Sequence, residues 1–258
     1  MSLIKIEKKQ NYAVVTLNRA DIHNAFNDEL INQLKNAFNE LSNDKDMRLV
    51  VLTGAGKSFC AGADLNWMKS MVNFSMDQNK KDSQNLASLF ETINSFTKPV
   101  IGKINGHALG GGVGLVSVCD YVISNEEALF GFTEVRLGLI PAVISPFVMA
   151  KIGLSQARAW FLSGERFSAL QALQMNLVHE VVKESDLDKR SEEIIQSFLR
   201  AAPEASQVAK KLIQEVNGKE ILKVQDFTIN EIAKKRISLE GQEGMKAMLE
   251  KRKANWLK

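Results

Sequence analysis

The stretch Ile104–Asp120, INGHALGGGVGLVSVCD, decides how the chain is read. Gly110, Gly111 and Gly112 stand in a row, with Gly106 and Gly114 close by, in an otherwise apolar run. Glycine is the costliest residue to order, so such a cluster points to a backbone that something approaches closely. VIGKI reads as a strand entering the run, and VGLVSVCD as a helix leaving it. At that junction the first helical N–H groups lack partners and the helix dipole adds partial positive charge, which makes an anion hole. Close packing of a helix on a sheet also demands glycine, and both readings stay open here.

Upstream, RLVVLTG is a short continuous apolar run, hence a buried strand. The loop GAGKSFCAGAD follows it and leads to a helix near Leu65–Met71, with Asp64 at its start. Small residues after a buried strand make this a second loop able to offer an N–H, and two such donors could share one developing oxyanion. LIKIEK and YAVVTLN alternate about Gln10–Asn11 and predict an antiparallel hairpin. Leu30, Ile31, Leu34, Phe38 and Leu41 recur at helical spacing behind an Asn27 or Asp28 cap. A further helix over about 77–96 precedes Pro99, and YVIS reads as a strand. Strands alternating with helices argue for parallel βαβ units. From Ser155 onward the pattern reads as helical, with helices expected over 168–176, 185–199, 204–216 and 220–239. An α/β core over 1–200 and a helical region over 201–258 are therefore expected.

The 258 residues are 45% hydrophobic and 24% charged with net charge +3, an ordinary globular composition without a basic excess for nucleic acid or membrane. Two cysteines give no disulfide framework, and the N-terminus reads as neither leader nor anchor, so a cytoplasmic location is expected. Several motifs fail. GAGKS would need glycine at Val51 to be a phosphate loop, and HEVVK carries Lys183 where a zinc helix needs its second histidine. G-x-S-x-G is absent, and GGGVG does not fit a dinucleotide fingerprint.

Residues 101–121, with CAGADL upstream and FGFTEVRLGLIPA downstream, resemble the crotonase (enoyl-CoA hydratase/isomerase) superfamily. The likeness runs from VVTLNRADIHNAFN to EGMKAMLEKRKANW. It implies an α/β fold, a spiral of ββα turns with a helical C-terminal trimerisation region, assembled as a homotrimer or a dimer of trimers. It also implies an acyl-CoA thioester substrate whose enolate oxygen is held by the amides of Ala63 and Gly111. CoA would arrive as part of the substrate, with no metal or redox cofactor. Hydratases of the family normally use two glutamates. Glu134 in FGFTE matches one, while Gly114 stands at the other position. AGADLNWMK and EVRLGLIPAVISPFV resemble the bacterial 3-methylglutaconyl-CoA hydratases and related enzymes of acyclic terpene breakdown, a subgroup in which glycine also replaces that glutamate. The resemblance further assigns Ala25, Ala61, Asp64, Leu65, Trp67, Gly110, Gly114 and Lys251 to substrate or CoA contact. Trp67 and Met68 would wall the acyl pocket, and Lys251 would lie near the adenine or phosphates of CoA. Glycine at 114 is expected to leave room for a Cβ methyl and to avoid repelling an acidic acyl group. The alternatives are an enoyl-CoA isomerase with one carboxylate and an RNA-binding protein on the same fold.

Overall fold

Residues Tyr12–Leu17 alternate half-buried and buried side chains, and the strand they form, β2, pairs antiparallel with β1 (Ile4–Lys8) in the expected hairpin. The computed structural model describes residues 2–257. The chain then runs through α1 (Asp28–Asn43), β3 (Leu49–Gly54), β4 (Ser58–Cys60), α2 (Leu65–Met71), α3 (Met76–Asn94), β5 (Val100–Ile104) and β6 (His107–Leu109). Next come α4 (Gly111–Ser117), β7 (Tyr121–Asn125), β8 (Leu129–Gly131), α5 (Ser145–Ser163), β9 (Arg166–Ser168) and α6 (Ala169–Gln174). The last elements are β10 (Glu180–Val182), α7 (Leu187–Leu199), α8 (Pro203–Val216), α9 (Ile221–Ile237) and α10 (Leu239–Leu249).

The main sheet has the order β1-β2-β3-β5-β7-β10, parallel from β2 onward. Its central strands β3, β5 and β7 are buried along most of both faces because both are covered. Val50 and Leu52 face a core that includes Leu30, Leu34 and Phe38 of α1, whereas Leu49 and Val51 join Ile101 and Ile123 under Ile194, Ile195 and Leu199 of α7. Asn27 caps α1 by accepting from the Leu30 N–H, as its position before the apolar stripe predicts.

A second sheet, β4-β6-β8-β9, was not expected from the sequence. Its strands have three residues each. That is too short to display a period, so their pairing rests on distant neighbours. The expectation of a purely helical chain from Ser155 is likewise corrected: β9 pairs with β8 and β10 closes the main sheet beside β7. The helix expected over 220–239 breaks at Ser238, whose extended backbone and side-chain bond to the Gly241 N–H make it the cap of α10. The helix expected over about 77–96 runs over Met76–Asn94, before Pro99.

Candidate active site

Two loops meet beside the start of α4, the Gly62 loop against the Leu109–Gly110 turn. Gly110 adopts φ 50°, ψ −121°, a backbone open to glycine, and its N–H is held by the Gly131 carbonyl at 2.9 Å. This turn delivers the chain from β6 into α4 with Gly111 as the first helical residue. On the other loop Gly62, at φ 93°, lays its Cα against the Leu109 carbonyl, 3.1 Å from where a Cβ would stand. Phe26 brackets the next residue: its N–H donates to the Gly62 carbonyl at 2.7 Å, and its carbonyl accepts from the Asp64 N–H at 2.8 Å. Ala63, between those two, is exposed. Among the described residues neither the Ala63 nor the Gly111 N–H donates to any other group. Two unengaged donors on adjacent loops, one at a helix start, are the elements of an oxyanion hole.

Glu134 follows β8 in a 3-10 turn over Thr133–Leu137. Its Oε1 lies 3.3 Å from the position a Cβ would take on Gly110, so the carboxylate rests on the glycine turn itself. Burial pushes its pKa up, with its own backbone N–H partly opposing, and its buried Oε2 has no hydrogen-bond partner. A raised carboxylate beside two unengaged N–H groups can carry a proton to and from a bound carbonyl compound.

The remaining assigned residues divide. Ala25 is buried next to the bracket, with its carbonyl accepting from Arg19 at 2.6 Å, and Ala61 donates to the His23 carbonyl at 3.0 Å. Leu65 begins α2 and is 75% exposed, free to meet a ligand. Trp67 is buried within the main core. Asp64 does not present its side chain to a ligand. It caps α2 through the Asn66 and Trp67 N–H groups and pairs with Arg19 at 2.8 Å. Burial alone would raise its pKa, but the Asn66 N–H, Arg19 and the Trp67 N–H hold it below the usual carboxylate range. Gly114 also requires correction. Its Cα is covered: a Cβ there would overlap Ile144 Cγ2 and lie 2.7 Å from Phe90 Cζ, so the room expected for substrate is already filled. Lys251 sits beyond α10, its N–H on the Met248 carbonyl, and no hydrogen bond or ion pair ties it to the Ala63 or Gly111 loops.

Sequence reasoning missed the apolar floor. Phe26 underlies Gly111, 2.9 Å from a would-be Cβ, and packs edge-on against Phe90, which in turn meets Phe147. Phe90 was legible only as part of a helix face. Arg19, 45 positions from Asp64, carried no local signal at all.

A family model described as enoyl-CoA hydratase/isomerase matches residues 7–258. The chain belongs to the enoyl-CoA hydratase/isomerase family. This family member is 32% identical to a short-chain-enoyl-CoA hydratase of Clostridium acetobutylicum over 255 residues, covering 98% of this chain and 97% of that one. It is 33% identical to the 2,3-dehydroadipyl-CoA hydratase of Escherichia coli over 83% of both chains. The crystal structure of an enoyl-CoA hydratase from Shewanella pealeana superposes with a TM-score of 0.95 at 36% identity, covering 99% of this chain and 96% of that one. The fold is thus the crotonase fold, and the enzyme is of the enoyl-CoA hydratase type. No helix among the described residues is long and apolar enough to cross a membrane.

Proposed function

We propose that this enzyme adds water to a branched, acidic enoyl-CoA, with 3-methylglutaconyl-CoA as its substrate. The observation that carries the hydration chemistry is Glu134, a raised carboxylate with an unpartnered oxygen against the Gly110 turn. In this reading the thioester oxygen lies between the Ala63 and Gly111 N–H groups. Ionised Glu134 takes a proton from water, and the hydroxide so formed bonds to Cβ. The electron pair of the double bond then makes the Cα-to-carbonyl-carbon bond double and leaves negative charge on the thioester oxygen. Each fixed donor there is worth about 3 kcal/mol. The proton on Glu134 passes to Cα, the thioester carbonyl re-forms and the carboxylate is restored. CoA enters with the substrate, and the reaction so written calls on no further group.

The acyl group rests on the likeness of AGADLNWMK and EVRLGLIPAVISPFV to the methylglutaconyl subgroup. The Escherichia coli relative, named for a dicarboxylic enoyl thioester, supports an acidic acyl chain. Turnover in heavy-oxygen water should label the product, and kcat/KM should favour 3-methylglutaconyl-CoA over crotonyl-CoA. A preference for crotonyl-CoA would overturn the substrate. The Phe90–Ile144 wall favours a second reading, because it offers no second carboxylate to hold a water. A lone carboxylate suits moving a proton between Cα and Cγ, and an isomerase would leave its product unlabelled.

The proposal extends to a homotrimer or a dimer of trimers. Ile221, Leu222, Ile237, Leu239, Met248 and Leu249 of α9 and α10 are 81–93% exposed, an apolar surface that a second copy of the chain would cover. Lys251, at the end of α10, would then reach a neighbouring subunit's CoA.

A further inference from the structure

Arg19 lies just past β2, and its side chain joins both segments behind the Ala63 donor. Its Nη1 donates to the Ala25 carbonyl at 2.6 Å, and its Nη2 to Asp64 Oδ2 at 2.8 Å. Asn24 Oδ1 in turn accepts from the Arg19 main-chain N–H at 2.8 Å. Asp64 uses its other oxygen, Oδ1, on the Asn66 and Trp67 N–H groups, fixing the start of α2. Both ions are largely shielded, with side-chain exposures of 14% and 9%. A buried pair of this kind adds little net stability, since desolvation of the two charges offsets their attraction. What a planar two-pronged guanidinium supplies is geometry. Here the prongs end on the residue before Phe26 and the residue after Ala63, and Phe26 is the group that brackets Ala63.

We propose that Arg19 is a positioning residue for the oxyanion hole: by locking the Ala25 carbonyl to the Asp64 carboxylate it aims the Ala63 N–H at the thioester oxygen. This rests on the reading of Ala63 as an oxyanion donor. Arg19 touches no reacting atom. Its effect runs through the angle of one amide, and a small misplacement of such a group costs roughly tenfold to a hundredfold in rate.

The test uses the full-length protein, with butyryl-CoA carrying carbon-13 at the carbonyl as an unreactive probe and crotonyl-CoA as substrate. Hydrogen bonds at the thioester oxygen lower the carbonyl stretching frequency, so infrared difference spectra read the donors directly. Bound to the wild type, the probe should show the lowered frequency. In Arg19→Gln part of that lowering should be lost, kcat should fall about tenfold or more, and KM should stay within about twofold. Arg19→Lys keeps the charge without the fork and should fall between the two. It also serves where Arg19→Gln is too unstable to study. Adding Asp64→Asn to Arg19→Gln should recover thermal stability without recovering the frequency. A folded Arg19→Gln or Arg19→Lys with wild-type frequency and kcat overturns the proposal. A wild-type complex with no lowered frequency at all overturns the oxyanion reading beneath it, a different result from the first.

Discussion

Keeping Glu134 buried and ionised costs folding energy. Its pKa is raised by burial, so the folded state favours the protonated form. Ionised Glu134 therefore costs stability at every pH above its folded value. That cost fades as pH falls through the window between the folded and ordinary values, and is absent below the latter. Glu134→Gln should lower turnover by at least ~100-fold, with acyl-CoA binding little changed. It should also raise the melting temperature at neutral pH by about 1–3 °C, a gain that vanishes below the ordinary glutamate range. The acidic limb of wild-type kcat/KM should lie above that range, since Glu134 must be ionised to take a proton from water. Gly114, four residues on from the turn that holds Glu134, does different work. The glycine cluster serves two structural purposes, a turn at Gly110 and close packing at Gly114. Gly114→Ala would drive a methyl into Ile144 and Phe90 and should cost about 1–3 kcal/mol by denaturant titration. Ile144→Ala in the same chain, which removes the Cγ2 that the new methyl meets, should return part of it. A stable Gly114→Ala would show that the wall yields easily.

The strands and helices differ in how far they could be read. The first hairpin, α1 with its Asn27 cap, β3 and α2 behind Asp64 all carry local signals, a period or a capping residue, and all stand where those signals put them. The small sheet carried none. Its strands borrow partners from up to about fifty positions away, and three residues cannot show an alternation. The site was legible in the same uneven way. Glu134 and both glycine loops lie in motifs, whereas Phe26, Phe90 and Ile144 look like ordinary core residues until packing brings them under α4. That packing makes a prediction about the start of α4. A Cβ on Gly111 would meet the Phe26 ring. Gly111→Ala should therefore lose activity by tilting the first turn, and Phe26→Leu should restore melting temperature and part of kcat to Gly111→Ala. Failure of the double variant to recover either quantity would separate Phe26 from the placement of this amide.

At the scale of the whole molecule, the C-terminal helices lie against the core through a few polar ties. Arg48 donates to the Leu199 and Ala201 carbonyls at 2.7 and 2.5 Å, and Lys210 pairs with Asp120 at 2.7 Å. Their exposed apolar side chains point to association. Light scattering should give a mass of three or six chains, and Leu222→Asp with Leu249→Asp should reduce it. A wild-type monomer would end that view. The burial of α4 has a consequence for ionic conditions. Residues Gly112 to Ser117 are enclosed by protein, so dissolved ions cannot gather along the helix and dampen its field. In the proposed binding mode, by contrast, the CoA phosphates are met at the surface by the exposed Lys251. Raising sodium chloride from about 0.01 M to about 1 M shortens the Debye length from roughly 30 Å to roughly 3 Å. KM should climb over that range while kcat barely moves, making the enzyme salt-sensitive in capture and salt-blind in chemistry.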